Sequence, residues 1–205
     1  VRLDGETVAA THIVIATGTE PADWPGVSLN GQTVISHREV LELTEIPRRL
    51  LVLGGDVEGI EFACLFARLG CRVTVIEKEK RILPGTDADL TEAVEGDLRQ
   101  RGVELLTGTE VQGCEVGGSP VVTLSGGSKV RSERILLTGV RRPNIPEGVE
   151  RIGLERDGER IKVSRDLQTS CESVYAVGDV NGIAGMAHAA GRPYGILGMA
   201  KGAGM

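Results

Sequence analysis

The sequence has no stretch approaching 18 consecutive apolar residues, and its first residues, VRLDGETVAA, show no basic start leading into an apolar run. A membrane span and a secretory signal are therefore not expected, and the reading that follows is a cytoplasmic protein. It also lacks blocks of like charge. Its 23 Lys and Arg are scattered among 29 Asp and Glu for a net charge of −6, leaving no electrostatic footprint for nucleic acid or an anionic membrane. A small-molecule ligand is the expectation. Cysteine is sparse: Cys64, Cys71, Cys114 and Cys171 form no CxxC pair and no metal-ligand spacing. Neither a zinc site nor a disulfide framework is indicated, and no metal site is expected.

Aromatic residues are only 2% of the chain, whereas its 29 glycines are roughly twice the average share, implying many tight turns and close backbone approaches. The chain opens on Val1 rather than Met, and we expect it to be a piece of a longer parent.

Periodicity predicts a hairpin over Leu3 to Ile15, turning at Asp4-Gly5-Glu6 and ending at the glycine turn Ala16-Thr17-Gly18. Residues 19–31, TEPADWPGVSLNG, read as a surface connection. Ser36 opens a short helix that Pro47 ends. Leu50 to Leu53 is a continuous apolar run expected of a strand covered on both faces. A glycine loop, a helix apolar nearly all round and the β-branched run Arg72 to Glu77 follow, giving strand, loop, helix, strand in 28 residues. A second helix starts at Thr86 or Asp87, with Leu90, Val94 and Leu98 at four-residue spacing, and Val103 to Leu106 is a third parallel strand. Residues 109–116, 120–124 and 129–138 read as an antiparallel meander, and Ile161 to Val163 and Ser173 to Gly178 as short strands. The tail from Asn181 holds seven glycines and no long regular helix is expected there.

The loop Gly54-Gly55-Asp56-Val57-Glu58-Gly59 is where chemistry becomes specific. In a βαβ unit the first glycine permits the turn, the second lets a pyrophosphate approach the backbone and the third lets helix pack on strand, with the phosphate held by the helix N-terminus. Gly54 and Gly59 fill the first and third positions; Asp56 stands at the second. Glu77 ends the second strand, where a carboxylate accepts hydrogen bonds from ribose hydroxyls and repels a 2′-phosphate, favouring NAD over NADP, although Lys78, Lys80 and Arg81 temper that preference. Asp56 takes the space of a diphosphate and adds a repulsion of about 1 kcal/mol at roughly 4 Å in water, or up to about 4 kcal/mol at an effective dielectric of 20. Two readings follow: a weakened site with Asp56 rotated outward, or a site that no longer binds NAD.

Five stretches in order resemble the pyridine nucleotide-disulfide oxidoreductases, most closely their dihydrolipoamide dehydrogenase branch: IVIATG at 13–18, VISHREVLELTEIPRRLLVLGG at 34–55, GIEFACLFARLGCRVTVIEKEKRILP at 59–84, LLTGVRRPN at 136–144 and TSCESVYAVGDV at 169–180. The resemblance covers nearly the whole chain. It implies an α/β fold with a Rossmann-like parallel sheet, flanking helices and an antiparallel meander, with residues 34–145 as an NAD-binding domain inserted between two segments, 1–33 and 146–205, of a partial FAD-binding domain. It places NAD on Gly54, Gly55, Val57, Gly59, Glu77 and Gly139, with Glu61 near nicotinamide and flavin. FAD would lie against Thr17, Gly18, Gly178 and Asp179, the last on its ribitol chain, and against the backbone around Ala187. His188 is read as a helix-start residue, and His12 and His37 have no sequence neighbours that suggest catalysis.

The resemblance also identifies what this chain does not carry. The family routes hydride from NADH through flavin to a CxxxxC disulfide, whereas Cys64 and Cys71 are seven apart. The N-terminal FAD glycine fingerprint and the C-terminal dimerisation domain with its catalytic His and Glu are absent too. The resemblance therefore implies the NAD(H)-binding portion of a flavoprotein oxidoreductase, inactive alone and not retaining FAD. Its partners would be the remainder of the FAD domain and the dimerisation domain. A split domain leaves apolar surface uncovered, so self-association is a further expectation. Two alternatives stand beside this: a non-catalytic binding or assembly module whose nucleotide site Asp56 has disabled, and a related flavin reductase of NADH oxidase type.

Overall fold

The computed structural model describes residues 2–3 and 5–183. Of these, residues 21–141 form one compact unit, and those up to Glu20 together with those from Arg142 onward form a second. No helix among the described residues is long and apolar enough to cross a membrane.

The chain begins with a tight hairpin, β1 (Arg2–Leu3) against β2 (Glu6–Thr7), turning at Gly5 with φ +87°. The next strand, β3 (Ile13–Ile15), is not the hairpin's second arm as the sequence suggested. Its partner lies some 160 residues on, and a two-residue arm already satisfies the turn at Gly5. Following β3 is β4 (Thr19–Pro21).

The inserted unit starts with residues that read as a surface connection. Val27 is buried, and Trp24 and Leu29 pack against the same apolar cluster, so this stretch covers a sheet face rather than crossing solvent. Then come β5 (Val34–Ile35) and α1 (His37–Leu41). Ser36 caps α1 in a capping box: its hydroxyl accepts from the Arg38 N–H, and the Glu39 carboxylate accepts from the Ser36 N–H. Strand β6 (Arg49–Leu53) is buried from Leu50 onward, as its unbroken apolar run requires.

Helix α2 (Val57–Arg68) follows the glycine loop. Its buried face is Gly59, Ile60, Ala63 and Phe66, while Val57, Leu65 and Leu69 are exposed, so it is one-sided and not enclosed as its apolar composition suggested. Beyond it lie β7 (Arg72–Ile76), α3 (Ala88–Gln100) and β8 (Glu104–Leu106).

Strands β9 (Val111–Glu115), β10 (Val121–Leu124) and β11 (Lys129–Arg131) make an antiparallel sheet. The last expected run divides at Ser132-Glu133. Its second half is β12 (Arg134–Leu137), which leaves the meander and inserts in parallel between β5 and β6. The principal sheet is therefore five-stranded, in the order β5-β12-β6-β7-β8 and parallel throughout, with β5 and β12 added to the three parallel strands read from the sequence. The Ile135-Leu136-Leu137 run is buried, and a fully apolar strand reaches that condition only in the middle of a covered sheet. One apolar cluster lies under α1, α2 and α3; the other lies under the meander and the Trp24 segment.

After β12 the chain runs through β13 (Arg141–Pro143), which pairs with β4. A small hairpin, β14 (Arg156–Asp157) with β15 (Arg160–Ile161), precedes β16 (Val174–Ala176), which pairs in parallel with β3. The flanking unit's core is a smaller cluster around Ile15, Ile161, Val174 and Val180.

Candidate nucleotide cleft

The carboxyl ends of parallel strands carry the binding crevices of doubly wound folds, because there the chain turns into helix N-termini. In the inserted unit a cleft of about 570 Å³ lies at that edge, and Gly54, Asp56, Glu77 and Gly139 all line it.

The glycines are dictated by contact. A Cβ on Gly54, whose φ is +119°, would lie 2.5 Å from Thr138 Oγ1, and one on Gly59 would lie 2.1 Å from the Gly54 carbonyl oxygen. Both distances are far below contact, so first strand and helix can approach this closely only over glycine. Thr138 Oγ1 lies 3.2 Å from the Leu53 and Gly54 carbonyl oxygens, tying the end of β12 to the loop. On the other side the Leu83 N–H donates to the Gly55 carbonyl at 2.6 Å, with Leu83 itself at φ +51°, so the segment after β7 is pinned over the glycine loop.

Glu77 is 5% exposed, and its carboxylate is fixed at both oxygens: Oε2 accepts the Gly55 N–H at 2.8 Å and Oε1 accepts the Glu79 N–H at 2.9 Å. Each oxygen keeps a further lone pair for a ligand donor. Asp56 does not turn outward. It is the N-cap of α2, and its Oδ1 accepts the Gly59 N–H at 3.0 Å. The reason is local: a carboxylate beside the unpaired N–H groups of a helix start is stabilised by typically about 1 kcal/mol of capping, with nothing comparable on the solvent side. Gly55 and Gly59 are buried beneath the cleft, whereas Val57 and Glu61 are exposed and do not line it.

Lys78, named for its charge beside Glu77, also lines the cleft, and so do Trp24, Glu79, Pro84, Glu110 and Val111, which were not singled out in the sequence. A signal existed for Trp24, the sole tryptophan, set just before the apolar pair Val27 and Leu29. None existed for Glu110 and Val111, which the start of the meander delivers from 33 residues beyond Glu77.

A charged cluster was also missed. His37 Nδ1 lies 3.1 Å from Glu58 Oε1 and 3.3 Å from the Arg141 guanidinium, which is 3.9 Å from Glu58 Oε2. His37 therefore has partners that its sequence neighbours did not reveal. Burial holds its imidazole below 6.5, and the Arg141 and Arg38 charges push the same way. Burial pushes the Glu58 carboxyl up against the opposing pull of Arg141, and the Asp56 and Glu61 charges add to the rise.

In the flanking unit, the turns after β3 and β16 bring together Thr17, Gly18, Gly178 and Asp179. Thr19 Oγ1 donates to Asp179 Oδ2 at 3.1 Å, the Asn144 N–H donates to the Gly18 carbonyl at 2.9 Å, and Gly18 and Gly178 take φ of +67° and +78°. Ala187 and His188 lie outside the described residues. Among the described residues no group of three His, Cys, Asp or Glu side chains is placed to hold a metal ion.

A parallel sheet whose first glycine loop opens a helix, with a buried acid at the end of the next strand, defines a dinucleotide-type α/β protein. The chain belongs to the pyridine nucleotide-disulphide oxidoreductase family, whose model matches residues 1–193, and that family works with FAD and a pyridine nucleotide. It is similar to the soluble pyridine nucleotide transhydrogenase of Mycobacterium bovis, 36% identical over 189 residues that cover 91% of this chain and 40% of that protein. It is equally similar to the dihydrolipoyl dehydrogenase of Acholeplasma laidlawii, 36% identical over 196 residues, covering 93% of this chain and 57% of the relative. Among solved structures, LpdA from Mycobacterium tuberculosis superposes with a TM-score of 0.81 at 30% identity over 87% of this chain and 40% of the other. The chain thus spans about 40 to 57% of the length of these relatives.

A buried carboxylate with lone pairs to spare beside an apolar wall is chemistry that would fit a nucleoside, whereas the Asp56 carboxylate, which already holds the Gly59 N–H, would oppose a phosphate.

Proposed function

We propose that this chain is the nucleotide portion of an FAD-dependent oxidoreductase like dihydrolipoamide dehydrogenase, in which the intact enzyme passes hydride between NAD(H) and FAD. The observation that carries the reading is Glu77, buried at the cleft floor and held at both carboxylate oxygens by loop N–H groups. A carboxylate so fixed is oriented before a ribose arrives, which lowers the entropy cost of binding. When bound, the nicotinamide would supply the hydride and the flavin would receive it. Thr17, Gly18, Gly178 and Asp179 are the residues that would hold FAD, while Gly54, Gly55, Gly59, Glu77 and Gly139 would serve NAD(H). The chain alone does not turn over, because its cysteines cannot form the family's CxxxxC pair.

The test is titration of NADH followed by its fluorescence, with the parent beside Glu77→Ala. We expect saturable binding in the parent and a loss of at least ten-fold in the variant, with little absorbance near 450 nm from the purified chain. No saturable response to millimolar NADH in the parent would overturn the reading.

A second reading is favoured by one specific observation, the Asp56 cap at 3.0 Å from the Gly59 N–H. In it the fold serves as a non-catalytic binding or assembly module with the dinucleotide site closed. Saturable NADH binding by the parent excludes it.

A further inference from the structure

Two of the cleft's own donors are already engaged. A glycine loop at a helix start ordinarily offers unpaired N–H groups to a phosphate. Here the Gly59 N–H donates to Asp56 and the Gly55 N–H donates to Glu77. The Asp56 carboxylate also leans over the second glycine turn: its Cγ lies 3.5 Å and its Oδ2 3.6 Å from where a Cβ on Gly139 would stand. It therefore occupies the space between the two turns that border the crevice.

Among the described residues the lining leaves that charge largely uncompensated. Asp56, Glu77, Glu79 and Glu110 line the cleft with one cation, Lys78. Four arginines gather at the opposite, amino edge of the sheet, where Arg49 and Arg72 start paired strands and Arg48 and Arg101 line a separate depression with them, and Arg81 pairs with Glu92. Arg141 is engaged with Glu58 and His37. What the cleft offers is apolar surface from Trp24, Pro25 and Pro84, and carboxylate oxygens that only accept hydrogen bonds.

We propose that this cleft selects nucleosides without phosphate, and that Asp56 is the residue that sets the selection. An adenosine-type ligand gives its base to the apolar wall and its sugar hydroxyls to Glu77. A diphosphate finds the Gly55 and Gly59 N–H groups taken and a like charge in its place. The inference rests on the nucleotide reading above and refines it: NAD(H) is held by its adenosine half and gains nothing from the phosphates.

Trp24 is the sole tryptophan and lines the cleft, so its fluorescence reports occupancy directly. Adenosine, ADP and NADH are titrated into the full chain and into Asp56→Asn and Asp56→Gly. Asparagine keeps a capping oxygen without the charge, and glycine restores the space at a small cost in helix stability. In the parent we expect adenosine to bind more tightly than ADP. In Asp56→Gly, ADP and NADH should gain at least ten-fold while adenosine changes less than three-fold, with Asp56→Asn between. If Asp56→Gly does not fold, Asp56→Asn carries the test, and a gain for ADP of at least three-fold is expected there. ADP binding the parent as tightly as adenosine, or no gain in a folded variant, overturns the selection while leaving the nucleotide reading standing. No quenching by any ligand in any variant overturns both.

Discussion

The inserted and flanking units use the same local pattern, a β-strand leading into a glycine turn, but give it different support. In the inserted unit that pattern sits in a five-stranded parallel sheet with an apolar cluster on each face, and the glycine turn is enclosed by Thr138, Glu77 and Leu83. In the flanking unit β3 and β16 form a two-stranded pair over one small cluster, and a Cβ on Gly18 would meet nothing within 4 Å. Identical local signals therefore yield a rigid, contact-defined loop in one unit and an open turn in the other. Tertiary enclosure, rather than the turn sequence, decides how much a substitution costs.

The comparison is sharpened first at the two cores. Leu51 is fully buried in the middle of the principal sheet, so Leu51→Ala should cost about 4 kcal/mol by urea unfolding, because flanking strands cannot collapse into the void. Ile161→Ala in the flanking unit should cost about 2 kcal/mol, since a small cluster at a two-residue strand relaxes more easily. Equal losses, read by amide exchange in each unit, would break the contrast.

The two glycine turns give smaller individual effects. Gly59→Ala drives a methyl to 2.1 Å from the Gly54 carbonyl and should cost about 3 kcal/mol. Gly18→Ala carries only the strain of φ +67°, about 1 kcal/mol. A Gly59→Ala protein as stable as Gly18→Ala would show that the strand and helix part readily.

The smallest effect is one of pH and belongs to the inserted unit alone. Because the folded His37 binds its proton below 6.5, its contribution to stability is present above that pH and is lost as pH falls through the folded value. Glu58 acts in the opposite sense: its raised carboxyl favours the fold below the ordinary carboxylate range, and that advantage is lost as pH rises through the folded value. Replacing His37 with glutamine should flatten the decline below pH 6.5, seen as a smaller fall in melting temperature read by Trp24. An unchanged slope would remove His37 from the account.

What the sequence determined is local and periodic. The apolar run Leu50 to Leu53, the glycine loop, the β-branched run ending at Glu77 and the helix start at Ser36 are each marked by residue type and spacing within a few positions, so the sequence alone identified them. Tertiary structure decided what depends on a distant partner. The pairing of β3 with β16 and the insertion of β12 between β5 and β6 join residues about 160 and 85 positions apart, and a strand's propensity does not name its neighbour. The same holds at the site. Sequence placed Asp56 in the loop, but the Gly59 N–H left unpaired at a helix start drew the carboxylate inward, and only folding of the later chain brought Arg141 to His37 and Glu58 and the Glu110 carboxylate to the cleft wall. Charge and hydrogen-bond demand are written residue by residue, whereas the groups that answer them are chosen by the course of the whole chain.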